Sequence, residues 1–149
     1  MTLKQKIYAH CLQLVTDRIL ELENILKELD ASAASDTKSS AGDKHETARA
    51  MIQIEQETIG KQLNDALEQK ALLEKIDANQ NSSQIIKGSL VKTNKGYLFL
   101  IIAIGKIMVD ENTVMVISPQ SPLGVKLMGL KANETAVVNE MKYVVEIVY

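Results

Sequence analysis

Residues 8–33 read YAHCLQLVTDRILELENILKELDASA, and apolar side chains recur in this stretch at alternating spacings of four and three. The recurring positions are Tyr8, Leu12, Val15, Ile19, Leu22, Leu26, Leu29 and Ala33. This heptad spacing is typical of a helix that packs along one stripe against another helix. Ile7, Leu14 and Ile25 widen the stripe. The pattern therefore predicts a long amphipathic helix at the start of the chain.

A second helical pattern runs from about Asp43 to Ile76, after a Ser- and Ala-rich break at residues 35–42. Its apolar stripe consists of Ala48, Ile52, Ile59, Leu63, Ala66 and Leu73. Because the break is short, the two helices are expected to fold back on each other as an antiparallel coiled-coil hairpin. The alternative is a parallel dimer of two chains that pair through the first stripe.

After residue 84 the period changes to short apolar and β-branched runs separated by turn signals. The runs are Ile85-Ile86, 89–91, 97–104, 107–109, 114–117, 136–138 and 143–148. The turn signals are Asn94-Lys95-Gly96, Asp110-Glu111-Asn112 and Asn139-Glu140. One short helix is expected among them, with Ser121 as N-cap, Pro122 at its first position and Gly129 at its end.

The predicted fold class is therefore α+β, with an N-terminal helical hairpin followed by a small, mostly antiparallel sheet domain that contains one short helix. The expected boundaries are a hairpin at residues 1–77 with its tip near 35–47, a polar linker at 78–84, and a sheet domain at 85–149. A domain of this size has a marginal core, so the sheet could also lean on the base of the hairpin.

Charge and composition exclude some functions. The first 80 residues carry 10 basic and 14 acidic side chains, and the remainder carry 7 and 5. Neither part is a basic surface for nucleic acid, and an aromatic content of 3% makes a base-stacking platform improbable. With no apolar leader and no run long enough to cross a bilayer, we expect a soluble cytoplasmic protein without membrane contact.

Asp43 and Glu46, three residues apart at the predicted tip, are the candidate chemical groups. They could form a local capping box, in which Asp43 caps the second helix and Glu46 completes the box. Two carboxylates alone bind a divalent ion poorly, because hard cations take six or more oxygen ligands. His10 and Cys11 are adjacent on a helix and cannot share a metal, so His10 is expected at the surface and Cys11 beside the stripe. The sequence shows no self-contained active site.

Two stretches resemble motifs of the bacterial Gre transcript-cleavage factors. Residues 42–48, GDKHETA, are similar to the coiled-coil tip of that family, which runs Gly-Asp-Leu-Ser-Glu-Asn-Ala. Residues 117–124, ISPQSPLG, with the following Leu127-Met128-Gly129, resemble its C-terminal signature, and KGSLV at 87–91 is similar to the start of its C-terminal domain. The resemblance covers most of the chain.

The resemblance implies an FKBP-like sheet domain that docks on RNA polymerase and a hairpin that enters the polymerase secondary channel. The polymerase then cleaves backtracked RNA, whose 3′ end the factor contacts only indirectly. Asp43 would be a ligand of a Mg²⁺ ion shared with the polymerase, and Glu46 would position water. The docking residues implied are Ser118, Pro119, Ser121, Pro122, Leu123 and Gly124. Such a factor is a monomer with no enzymatic activity or cofactor of its own.

The tip departs from the family pattern at several positions. Lys44 and His45 stand between the two acids, and Arg49 replaces an acidic residue after the Ala. These basic groups lower the negative charge of the tip. Two alternatives therefore stay open: a regulator or inhibitor that occupies the channel without stimulating cleavage, and a coiled-coil adaptor unrelated to polymerase.

Overall fold

The computed structural model describes residues 1–36 and 42–149, and the side chains of residues 1–35 and 46–149. Two long helices come first, α1 (Leu3–Asp36) and α2 (Gly42–Glu74). Strands β1 (Leu90–Thr93), β2 (Gly96–Leu100), β3 (Gly105–Val109) and β4 (Asn112–Ile117) follow. The chain continues with α3 (Pro122–Leu127), β5 (Thr135–Val138) and β6 (Met141–Val148). The predicted α+β class, with a helical hairpin, a sheet and one short helix, is confirmed.

By packing, the chain divides into two compact units. The sheet unit comprises residues 1–12 and 71–149, and the hairpin unit comprises residues 13–70. The predicted boundaries at 77 and 85 divide the chain into consecutive segments, with the helices first and the strands second. The packing units instead group elements that are distant in sequence, so the ends of both long helices belong with the sheet.

Within the hairpin unit, polar contacts show that α1 and α2 run antiparallel. The Arg18 guanidinium donates to Oε1 of Gln62 at 3.1 Å, and Nε2 of Gln56 donates to Oδ1 of Asp30 at 2.8 Å. A later residue of α1 therefore contacts an earlier residue of α2. The stripe that could have paired two chains is covered by the chain's own second helix.

The apolar stripe is confirmed through most of α1, where Val15, Ile19 and Leu22 are buried. Nearer the start of the helix the buried positions are Ile7 and Cys11, while the predicted Tyr8 and Leu12 are half-buried. A straight helix has 3.6 residues per turn, so its buried line drifts away from a strict seven-residue repeat. Leu14, which was expected to widen the stripe, is exposed.

In α2 the stripe is less buried than in α1. Ala66 and Leu73 are buried, and Ile52, Ile59 and Leu63 are half-buried. Ala48, which was expected on the stripe, is exposed. The seven-residue repeat therefore marks the covered side of α2 from residue 52 onward.

The six strands form one sheet in the order β3-β4-β2-β1-β6-β5. Every adjacent pair is antiparallel except β2 and β4, which are parallel. The predicted single run at 97–104 is wrong, because β2 ends at Leu100 and β3 begins at Gly105. Ile85-Ile86 is not a strand either. Ile85 instead exchanges backbone hydrogen bonds of 2.8 Å with Gly129 and Leu130.

Both faces of the sheet are covered at β2, where Leu98, Phe99 and Leu100 are buried. Leu98 and Leu100 belong to a core cluster with Leu127 of α3, and this cluster also contains Val91 and Val145. Successive side chains of a strand point to opposite faces, so Phe99 lies on the other face, in register with Leu90 and Val116. The core of this unit therefore extends on both sides of the sheet.

Two tight hairpins follow from the turn signals at Asp110-Glu111 and Asn139-Glu140. All four residues have positive φ, at 49° and 64° in the first turn and 51° and 66° in the second. Two-residue loops with both central residues in this region match the twist of the strands, and Asn-Gly is their preferred sequence. The second hairpin therefore has the preferred residue at its first position and a strained one at its second.

We expect Glu140→Gly to raise the free energy of unfolding by about 1 kcal/mol, because it removes the strain of a side chain in the left-handed region. Urea unfolding followed by tyrosine fluorescence measures the change. A matched control is Glu146→Gly, which removes the same charge from an exposed position inside β6 and is expected to destabilise by ~0.5–1 kcal/mol. Equal effects of the two substitutions would contradict this account of the turn.

Candidate functional site

The backbone of the predicted tip acids lies at the start of α2. The helix begins at Gly42, so Asp43 lies in its first turn. The capping-box alternative depends on the Asp43 side chain and stays a prediction. Glu46 is exposed one turn further along, and the side chain of Asp43 lies outside the described residues. The metal and water roles of the two acids stay predictions.

A cleft of about 310 Å³ lies between the two helices of the hairpin unit close to these residues. It is lined by Arg49, Gln53 and Gln56 with Ala33 and Ile52. Arg49 is exposed, one turn after Glu46. A guanidinium at this place adds positive charge one helical turn from Glu46.

The ISPQSPLG stretch forms a closed turn built around Ser118 and Ser121. The carbonyl oxygen of Ser118 accepts from the amide of Ser121 at 3.0 Å and from the Ser121 hydroxyl at 2.7 Å. Oγ of Ser121 in turn accepts from the amide of Gly124 at 3.0 Å, which caps α3. Pro122 follows at the start of the helix, where a missing N–H costs nothing. The predicted N-cap is confirmed.

The turn leaves no room for a side chain at position 124, so this residue must be glycine. A methyl carbon at this position would overlap the carbonyl oxygen of Ser118 and would lie 2.9 Å from both Oγ of Ser121 and the carbonyl carbon of Pro119. Gly124 is also buried, and Leu123 packs against the core cluster. These residues of the signature thus hold the turn together, whatever else they contact.

In the ISPQSPLG stretch Gln120 and Pro122 are exposed, and Ser118, Pro119, Ser121 and Leu123 are half-buried. Ser118 and Pro119 also line a cleft of about 130 Å³ with Gln120, Lys87 and Leu72. A partner surface could contact these side chains, whereas Gly124 is buried and has no side chain to contact. Partner contact by the six signature residues stays a prediction.

The histidine and cysteine of α1 form no reactive pair. His10 is exposed, as expected, but Cys11 is fully buried and belongs to the core, so the expectation that it flanks the stripe is wrong. Burial raises the pKa of the Cys11 thiol to about 12, so the thiolate is negligible near neutral pH. Among the described residues, no group of three or more His, Cys, Asp or Glu side chains could hold a metal ion.

Sequence reasoning missed Lys4, which is only 5% exposed. Its Nζ donates to main-chain oxygens of Gln80 at 2.5 Å and Tyr149 at 3.1 Å. Burial lowers the pKa of this ammonium group, and the charge of Asp77 partly opposes that shift. The spacing along the helix could have indicated this burial. Lys4, Ile7 and Cys11 follow one another at spacings of three and four, so they lie on the same face of α1.

No protein-family model and no curated protein matches the chain. A solved structure of "the transcription factor Gfh1" is similar over 93% of both chains, with 14% sequence identity and a TM-score of 0.37. A likeness at that level identifies no activity. None of the described helices is long and apolar enough to cross a membrane.

Proposed function

We propose that this chain is an RNA polymerase-binding transcription elongation factor of the Gre type. The observation that carries the proposal is the order of two motifs on their elements. The GDKHETA stretch begins the second helix of an antiparallel hairpin, and the ISPQSPLG stretch caps a short helix in a sheet unit. Each motif stands on the element that the resemblance requires.

The proposed action is insertion of the hairpin tip into the secondary channel, where Asp43 and Glu46 complete the polymerase active site. Carboxylates are suitable ligands for Mg²⁺, and this ion usually binds one or two of them with its other ligands supplied from elsewhere. Asp43 and Glu46 fit such a shared site. Asp43 would hold the ion and Glu46 would orient the attacking water, while the ion supplies charge stabilisation at the phosphodiester.

The factor itself would have no catalytic activity and no resident cofactor. It would act as a monomer in the cytoplasm, would contact the RNA 3′ end only indirectly, and would dock through the exposed part of the ISPQSPLG turn.

The exposed Arg49 favours a second candidate function. A hairpin with a basic group near its tip could occupy the channel and hinder nucleotide entry without lending metal ligands. Slower nucleotide addition in the absence of RNA cleavage would select this function over the first.

The test of the first function uses stalled, backtracked complexes of core RNA polymerase. We expect the protein to accelerate release of short 3′ RNA fragments, and we expect Asp43→Asn to reduce this acceleration by roughly 100-fold, because one charged group that acts at the transition state is removed. Polymerase binding should change little. The matched control is Glu57→Gln, an exposed acid on the same helix, which should leave both quantities unchanged.

Three other results would argue against the proposal. Equal activity of the wild type and Asp43→Asn would mean that the tip lends no ligand. Slower nucleotide addition that is insensitive to Asp43→Asn would identify the channel regulator. Failure to bind polymerase, together with a stable dimer in sedimentation, would identify a coiled-coil adaptor.

A further inference from the structure

The hairpin unit is packed unevenly along its length. Its inner part comprises residues 13–22 and 61–70, and its outer part is the described stretch of chain between them. Among the described side chains of the outer part, none is buried. The buried side chains of the inner part are Val15, Ile19, Leu22 and Ala66. Because most of the stability of a helix in a protein comes from packing, the outer part is the less stable of the two.

Polar contacts across the hairpin do not offset this difference. The Arg18 side chain reaches Gln62 in the inner part, and the Gln56 side chain reaches Asp30 in the outer part. Both hydrogen bonds lie at the surface, where the same groups can bond to water instead, so each contributes little to stability. The difference between the two parts therefore follows from the buried apolar contacts.

Gly60 lies where the two parts meet. Arg18 contacts Gln62, and Leu22 lies one turn further along α1. Because the helices are antiparallel, the level of Leu22 on α1 corresponds to residues near Gly60 on α2. Among the described residues of α1, Leu22 is the last buried one before the tip. Gly60 is thus at the point where burial ends.

No contact in the structure requires a glycine at this point. A Cβ at Gly60 would have no heavy atom within 4 Å, and the backbone there is part of the regular helix α2. Glycine is less favourable than alanine in the interior of a helix. Gly60 therefore weakens α2 without gaining a close contact or a special turn in return.

The two residues before Gly60 weaken the helix further. Thr58 and Ile59 are β-branched, which lowers their preference for a helix. Oγ1 of Thr58 also donates to the carbonyl oxygen of Ile54 at 3.0 Å, a bond that slightly destabilises a helix and often bends it. Three successive residues at the boundary therefore favour opening of α2.

We propose that residues 58–60 are a built-in weak point of α2, which lets the outer part of the hairpin open and close as one unit while the inner part stays folded. Local opening of this kind is expected where few apolar contacts are buried. The outer part includes Glu46 of the GDKHETA stretch, so the tip can adapt its shape to a binding site without unfolding of the inner part. The proposal does not depend on the function proposed above.

The test is native-state hydrogen exchange of the full chain, followed residue by residue by NMR. In the wild type we expect the amides of residues 48–58 to exchange at least ~10-fold faster than those of residues 63–69, after correction for intrinsic rates. Gly60→Ala should slow all amides at 48–58 by roughly fivefold, the factor by which alanine favours a helix interior over glycine. The slowing should be uniform, because each of these amides exchanges through an opening that includes residue 60.

The matched control is Asn64→Ala, at an exposed position of the inner part. It also replaces a poorer helix former with alanine, but residue 64 stays helical when the outer part opens. The amides at 48–58 should therefore exchange as in the wild type. Thermal unfolding checks that both variants fold.

Four results would overturn the proposal. Slowing by Gly60→Ala of only the amides nearest to residue 60 would mean that the hairpin frays progressively from its tip. Equal slowing by Gly60→Ala and Asn64→Ala would mean that the hairpin opens as a whole. Equal protection of the inner and outer amides in the wild type would mean that the outer part does not open separately. No change at all in Gly60→Ala would mean that residue 60 lies outside the opening unit.

Discussion

Gly124→Ala is expected to lower the free energy of unfolding of the sheet unit by about 3 kcal/mol, because the added methyl group overlaps the Ser118 carbonyl and the turn must open. Opening the turn also weakens the bonds that join Ser118, Ser121 and Gly124, each worth about 1 kcal/mol. The four tyrosines all lie in the sheet unit, so tyrosine fluorescence during urea unfolding reports this unit alone.

The matched control for Gly124→Ala is Val125→Ala, on the next residue of α3 and 60% exposed. It should change the free energy of unfolding by no more than about 0.5 kcal/mol. This pair also distinguishes two explanations of the signature. A glycine required only for partner contact would tolerate alanine without loss of stability, and that result would contradict the steric account.

Phe99→Ala is expected to have a comparable or larger effect, a loss of about 3–5 kcal/mol. Phe99 is the largest of the fully buried side chains, and its strand β2 lies between β1 and β4. Removing the ring leaves a cavity beside Leu90 and Val116, which are its register partners. Because small domains have a total stability of about 5–15 kcal/mol, this loss should shift the urea midpoint strongly.

Met115→Ala provides the control for Phe99→Ala. Met115 lies on β4 in register with Leu98 and is 40% exposed, so its truncation should cost less than about 1 kcal/mol. Similar losses for the two substitutions would mean that the face of the sheet that carries Phe99 is not the principal core of this unit.

The elements that sequence reasoning predicted are those whose determinants are local. The heptad spacing of α1, the Ser121 cap and the turns at Asp110-Glu111 and Asn139-Glu140 all depend on residues within a few positions of one another. Their hydrogen bonds and dihedral angles are set by nearby side chains. These features were therefore correct to within a few residues.

The candidate site divides in the same way. The resemblance of the tip motif and of the ISPQSPLG signature could be seen in the sequence. The sequence could not tell whether Ser118, Ser121 and Gly124 stabilise the turn or contact a partner. That separation needed the position of the Ser118 carbonyl relative to the next turn of chain. Burial of Cys11 likewise depends on what covers the start of α1, which no local pattern reports.

The sequence by itself determined that this protein has two long helices separated by a short break in the helical pattern, followed by strands with tight hairpins and one capped helix, because each of these is a local choice of dihedral angle and period. Tertiary structure alone decided the parallel pairing of β2 with β4 and the burial of Lys4, whose ammonium group contacts a carbonyl 76 residues away in the chain. Such contacts depend on which distant segments meet, so a lysine that looks like an ordinary surface residue in the sequence becomes buried.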